Sequence, residues 1–353
     1  MTAKDFRKHI ESGQKVLLDG GIGTELYERG VFVNRCFEEA NLSQARLVQE
    51  IHKDYGGVVP ELASRAHQSN IIPVVEKSLS DAKINKKMLS AIAFTNGPGL
   101  LGSLLVGNSF SKSISLGLNI PLISVNHMHA HLFANFISRS DFRKPSFPFL
   151  GVNISGGHTQ LIIVKDFFEM KLIGNTLDDA IGEAYDKCGK VLGLDYPAGP
   201  MVDRLSLQGN PDKFSLPIAK VNDFDFSYSG VKTAFQNLII ESKSKDSNFI
   251  NNNIHDLCAS LQKCLVESVI KKIELAAERF SLSEIVIGGG VSANSEIRKS
   301  LKKIAIAKNW KVYIPPIEYT TDNAAMIGIV GYYKFIHKKF DQFDITPSPR
   351  FKI

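Results

Sequence analysis

Three glycine-rich turns each follow a short run of β-forming residues, and that repetition limits the folds open to this chain. NGPGLLGSLLVG (96–107) follows the strand-like AIAFTN, SGGHTQ (155–160) follows FLGVNI, and GGGVSAN (288–294) follows EIVI. Strands ending in glycine turns that lead into helices point to an α/β protein, because such turns let the backbone approach a ligand at the ends of the strands. The second turn is followed by another strand, TQLIIVKD, so it reads as a hairpin. Three such loops favour a nucleotide-like ligand held between two lobes over three unrelated tight turns.

The remaining pattern agrees. KVLLDG, LISVNH and KVYIPP supply further strand candidates. ARLVQEIHKDY, SNIIPVVEKSLSDA, NSFSKSISLGL, EAYDKCGKVLGL and NSEIRKSLKKIAIAKN carry helical periodicity, as does the long IHDLCASLQKCLVESVIKKIELAAERF. The charged, proline-containing RSDFRKPSFP (139–148) marks a crossing between lobes, and SKSKDSNFINNN (242–253) is expected as a polar surface loop.

Composition narrows the class. With 44% hydrophobic and 22% charged residues the chain has the balance of a soluble globular protein. No uninterrupted apolar run reaches the ~18 residues of a membrane span, and the first twenty residues lack a signal-peptide core, so a cytoplasmic protein is expected. Cys36, Cys188, Cys258 and Cys264 form no CxxC pair and read as free thiols. A net charge of +6 suits a polyanionic partner without requiring one.

NHMHAH (126–131) raises the sharpest chemical question. On a helix, His127 and His131 stand four residues apart on one face, while His129 points elsewhere. A histidine on a helix is more often a packing or surface residue than a ligand. The pair, following a strand, has the HxxxH spacing of two metal ligands and needs a third group from elsewhere. TTDNAAMIG (320–328) offers Asp322, which also fits a plain helix N-cap. Two imidazoles and a carboxylate with open positions would suit Fe(II) or Zn(II).

From GGVVPELASRAHQ (56–68) to the C-terminus, the chain resembles the bacterial and mitochondrial type of tRNA threonylcarbamoyladenosine transferase, the TsaD family. The matching stretches are GPGLLGSLLVG, NHMHAH, SGGHTQL, LDDAIGEAYDKCGKVLGLDYPAGP, FSYSGVKTA, GGGVSAN and TTDNAAMIG, in the family's order. The resemblance implies a two-lobed actin-like ATPase (ASKHA) fold with ribonuclease-H-like lobes. Residues 56–138 and 321–353 would form the N-terminal lobe, and 139–320 the C-terminal lobe. It implies one divalent metal, Fe(II) ahead of Zn(II), on His127, His131 and Asp322. L-threonylcarbamoyl-AMP would bind Asn153, Ile154, Ser155, Gly156, Gly157, Asp186, Gly199, Asp203 and Asn294. Ala198 stands where the family usually has the first glycine of a YPGGP turn.

The implied activity is transfer of threonylcarbamoyl to adenosine 37 of tRNAs reading codons that begin with A. A TsaB-like paralogue and a TsaE-like ATPase are the implied partners, with no membrane.

The N-terminus departs from this pattern. The family's opening strand and IETSCDET-like turn are missing, so the first lobe is expected to lack its usual N-terminal strands. Residues 15–55 instead resemble the start of a homocysteine S-methyltransferase, marking a fusion, a mis-joined gene model or a natural chimera. DGGIGTE (19–25) could replace the missing turn through Asp19 or Glu25. A degenerate protein that binds adenylate and partners without turnover is the alternative, and a methyltransferase fragment the third.

Overall fold

Alternating strands and helices build two sheets, a small parallel one and a larger mixed one. The computed structural model describes residues 60–137 and 143–350. The strand KVLLDG, the helix ARLVQEIHKDY, Cys36 and the methyltransferase-like segment lie outside the described residues, as do residues 139–142 of the expected crossing between lobes.

Helix α1 (Pro60–Asp81) packs on α2 (Leu101–Leu118), the helix that connects β1 (Ile92–Gly97) to β2 (Leu122–Asn126). β1 and β2 pair in parallel, and among the described residues this first sheet has two strands. β2 runs directly into α3 (His127–Phe133), with Asn126 as N-cap.

The second sheet contains β3 (Phe149–Ile154), β4 (Thr159–Val164) and β5 (Met170–Asn175). Next come α4 (Ile181–Val191), α5 (Gly199–Ser206), α6 (Ser229–Lys245) and the 31-residue α7 (Phe249–Arg279). β6 (Glu284–Gly288), α8 (Ser295–Lys308) and β7 (Lys311–Tyr313) complete the second sheet and its helices, and α9 (Ala324–Ile336) returns to pack on both strands of the first sheet. The chain beyond α9 stays there: Leu122 and Asp341 bridge, and Ser348 N–H donates to the Asn96 carbonyl.

Strand order in the second sheet is β5-β4-β3-β6-β7, with only β4 antiparallel to its neighbours. Side chains alternate as a two-residue period demands. Leu150, Val152, Ile154, Leu161, Ile285 and Ile287 face the core shared with α4 to α8. Phe149, Ile162, Val164 and Val286 face the opposite core, shared with α3 and α9. A sheet covered on both sides reads as continuous apolar runs, which is why FLGVNI and EIVI are recognisable. β3 is also the point where the order reverses, β4 departing to one side and β6 lying on the other. Open α/β sheets bind ligands outside the carboxyl ends of strands at such a point.

Two expectations are corrected. Residues 242–253 are not a loop, because α6 extends to Lys245 and α7 begins at Phe249. Phe249, Ile250 and Ile254 pack against the core at helical spacing, which outweighs the polar asparagines between them. Asp322 is not the cap of α9 either. Asn323 holds that position, its side chain accepting from Met326 N–H, and this leaves the Asp322 carboxylate free of a capping role.

Candidate metal centre and adenylate cleft

Helix α3 is only seven residues long and owes its position to its neighbours. Asn126 Oδ1 accepts from the N–H groups of Met128 and His129. Asn153 Nδ2 donates to the Met128 carbonyl and Asn135 Nδ2 to that of Ile287, tying the region to β3 and β6. Met128, Ala130, Leu132 and Phe133 are buried. Gly288, at the end of β6, lies so close that a Cβ there would stand 2.6 Å from the His131 carbonyl oxygen.

This packing turns His127 and His131 toward the segment before α9. Each Nε2 lies 3.3 Å from Asp322 Oδ1, and the three ligand atoms fall within 4.8 Å of one another. Ligand atoms about 2.1 Å from a common ion in tetrahedral or octahedral geometry stand roughly 3.0–3.4 Å apart, so the group fits a divalent cation. The His131 side chain is 2% exposed and that of Asp322 79%, a gradient that leaves the outer side of the site open. Hydrogen bonds from the two imidazoles hold the Asp322 carboxyl well below the usual carboxylate range. His131 Nδ1 is buried without a partner, so packing and the Nε2 contact with Asp322 orient that ring. His129 does point elsewhere: burial, with the nearby Lys334, pushes its pKa down to about 4, and it is neutral.

The residues with implied adenylate roles divide into three groups. Ser155, Gly156 and Gly157 form the β3–β4 hairpin, closed by Ser155 N–H to the His158 carbonyl and His158 N–H to Ser155 Oγ. Both glycines are exposed and have open space where a Cβ would be. Asn153 and Ile154 are fully buried in β3, Asn153 paired with both neighbouring strands and donating from Nδ2 to the Met128 carbonyl, and Ile154 packed in the core. His158, not singled out in the sequence, sits in the same turn, with burial and the nearby His127 and His131 lowering its pKa.

Asp186, Gly199, Asp203 and Asn294 are connected through α4, α5, α7 and the start of α8. Asp186 Oδ1 accepts from Ala198 N–H, and burial raises its pKa against that hydrogen bond and another from Gly199. The methyl of Ala198 lies against Gly189, whose own Cβ would come within 2.2 Å of it. Asp203 accepts from Ser295 N–H, Ser295 Oγ–H and Gln262 Nε2. Asn294 caps α8 through Oδ1, accepting from Glu296 and Ile297 N–H. The glycine run therefore does not present bare helix amides to a ligand as the sequence suggested, because the cap has already taken two of them. Gly182, at the start of α4, donates to the Ser155 carbonyl and joins this group to the hairpin.

Comparison with known proteins fits this geometry. The family model described as TsaD, tRNA N6-adenosine threonylcarbamoyltransferase, matches residues 41–329. A protein of that name from Christiangramia forsetii is 52% identical over 311 residues, covering 88% of this chain and 92% of its own. The chain belongs to the TsaD family. It is thereby placed among transferases acting on tRNA with the actin-like ATPase fold, and metal dependence is a family property. The HypF structure from T. kodakarensis shows the same fold at 12% identity and TM-score 0.54, covering 78% of this chain; the chain spans 45% of that HypF.

The N-terminal expectation needs adjustment. The family match starts at residue 41, so residues 41–55 fall within it and not with a methyltransferase-like segment. A TsaD-family relative from Carboxydothermus hydrogenoformans, 39% identical, covers 95% of this chain and 97% of its own length, and so reaches further into the first 55 residues. No helix among the described residues is long and apolar enough to cross a membrane.

Proposed function

We propose that this protein transfers the threonylcarbamoyl group from L-threonylcarbamoyl-AMP to N6 of adenosine 37 in tRNAs that read codons beginning with A. The convergence of His127 and His131, just past β2, on Asp322, with His158 of the SGG hairpin close to both imidazoles, is the observation that carries the reading. Residues 56–138 with 321–353 form one lobe and 139–320 the other, the cleft lying between them.

The reaction joins the adenosine N6 to the carbamoyl carbon, breaks that carbon's bond to the phosphate oxygen, and releases AMP with one proton from N6. A divalent ion held by His127, His131 and Asp322, Fe(II) ahead of Zn(II), supplies Lewis acidity toward the carbonyl oxygen when bound. Ser155 closes the hairpin, and Gly156 and Gly157, with no side chains, let their backbone N–H groups approach the phosphate. Asp203 retains acceptor capacity for a ribose hydroxyl, and Asp186 holds the Ala198–Gly199 turn against the nucleoside. Orientation of adenylate and flipped base supplies much of the rate. Fold and family support a cytoplasmic enzyme working with a TsaB-like paralogue and a TsaE-like ATPase.

The test is transfer to unmodified tRNA by the purified chain with threonylcarbamoyl-AMP and both partners supplied, read beside metal content. His131→Ala is expected to lose both the ion and the transfer. Full transfer by His131→Ala would remove the assignment of the centre, and no transfer by the metal-loaded parent would leave a binding protein without turnover.

A further inference from the structure

We propose that Gln262 is a positioning residue for the adenylate, fixing the directions of Asn294 and Asp203 from the middle of α7. The inference rests on the adenylate reading above and extends it to a residue that no glycine loop or ligand motif contains.

Gln262 is 3% exposed within the stretch from Leu257 to Val266, in which every residue but Lys263 is buried. Burying a primary amide is unfavourable unless its hydrogen bonds are made, and here they are made to the nucleotide group. Nε2 donates to Asp203 Oδ1 at 3.1 Å and to Ser206 Oγ at 2.7 Å, while Oε1 accepts from Asn294 Nδ2 at 2.7 Å. The amide has one workable orientation, since a flip would set its oxygen against the Asp203 carboxylate. Asn294 is constrained in turn: its Oδ1 is committed to capping α8, so Nδ2 must face Gln262 and Tyr185. One side chain thus joins α5, α7 and the start of α8, and any freedom in it passes to Asp203 and Asn294 together.

Gln262→Glu keeps the shape and the acceptor toward Asn294 but places a carboxylate against Asp203. Protonation of the new carboxyl would restore one donor to Asp203, so the defect carries its own pH signature. AMP binding to the metal-loaded full chain is measured by calorimetry, with metal content as the control for the other half of the cleft. Loss of buried hydrogen bonds to a charged partner is expected to weaken AMP at least about tenfold near about pH 8, with recovery toward about pH 6. KM for threonylcarbamoyl-AMP is expected to rise by the same factor, kcat changing little.

Ser206→Ala removes one acceptor from Gln262 without adding charge, and it decides the matter if Gln262→Glu does not fold; about threefold weaker AMP binding is expected. Affinity unchanged in the folded variants, or a loss of equal size at every pH in Gln262→Glu, overturns the positioning role alone. A wild-type chain with no AMP affinity would overturn the adenylate reading along with it.

Discussion

Gly288 shows how narrowly the metal-ligand helix is seated. A Cβ at this position would meet the carbonyl oxygen and carbon of His131 at 2.6 and 2.7 Å, and both are backbone atoms that cannot swing aside. Gly288→Ala must therefore shift α3 relative to β6, at a cost of about 1–3 kcal/mol for overpacking. The expected result is a lower unfolding midpoint in denaturant together with reduced metal occupancy. Wild-type occupancy at wild-type stability would mean that α3 has slack the structure does not show. Ala198, where the resemblance leads one to expect a glycine, illustrates the reverse case, a side chain for which the neighbouring helix leaves space. Its methyl fills the surface of Gly189 on α4, so the Asp186 hydrogen bond to Ala198 N–H is made with alanine in place.

At the scale of elements, the weakest support under the site is α3 itself, since a helix this short has little propensity to form alone. Its N-cap contributes directly: Asn126→Ala removes the acceptor for Met128 and His129 N–H and should destabilise the protein by about 1 kcal/mol, with metal affinity falling alongside. Asn126→Asp keeps the cap and should retain more of the stability; equal loss in both variants, read by denaturant titration, would show that the cap is not what Asn126 contributes.

Elements of this kind were legible in the sequence where local rules and burial agree. The apolar runs of β3 and β6, the HxxxH pair and the hairpin at SGGHTQ emerge from periodicity and glycine placement. The cap of α9 was misread because TTDN offers two capping residues in succession, and only tertiary packing decides that Asn323 takes the cap while Asp322 meets the histidines. β5 was missed because it is partly exposed and carries a register shift in its pairing with β4, which breaks clean alternation. Gln262 left no signal, for one polar residue in an amphipathic helix has no local pattern to mark it.

Across the whole molecule, charge and substrate bear on each other. The chain carries 42 Lys and Arg against 36 Asp and Glu, a surplus of 6. Several of the basic groups are paired at the surface, as Lys308 is with Glu278 and Lys271 with Glu267. Exposed pairs of this sort contribute little to stability and are screened by salt. A modest surplus implies a modest number of tRNA phosphates neutralised by this chain itself. If about four are neutralised, a fourfold rise in salt should weaken tRNA binding about 50-fold through counterion release. Adenylate binding inside the cleft should change much less over the same range. Titrating tRNA and AMP separately against the metal-loaded chain at several salt concentrations separates the two contributions. A tRNA affinity that does not move with salt would mean that this chain's own cations contribute little to the contact.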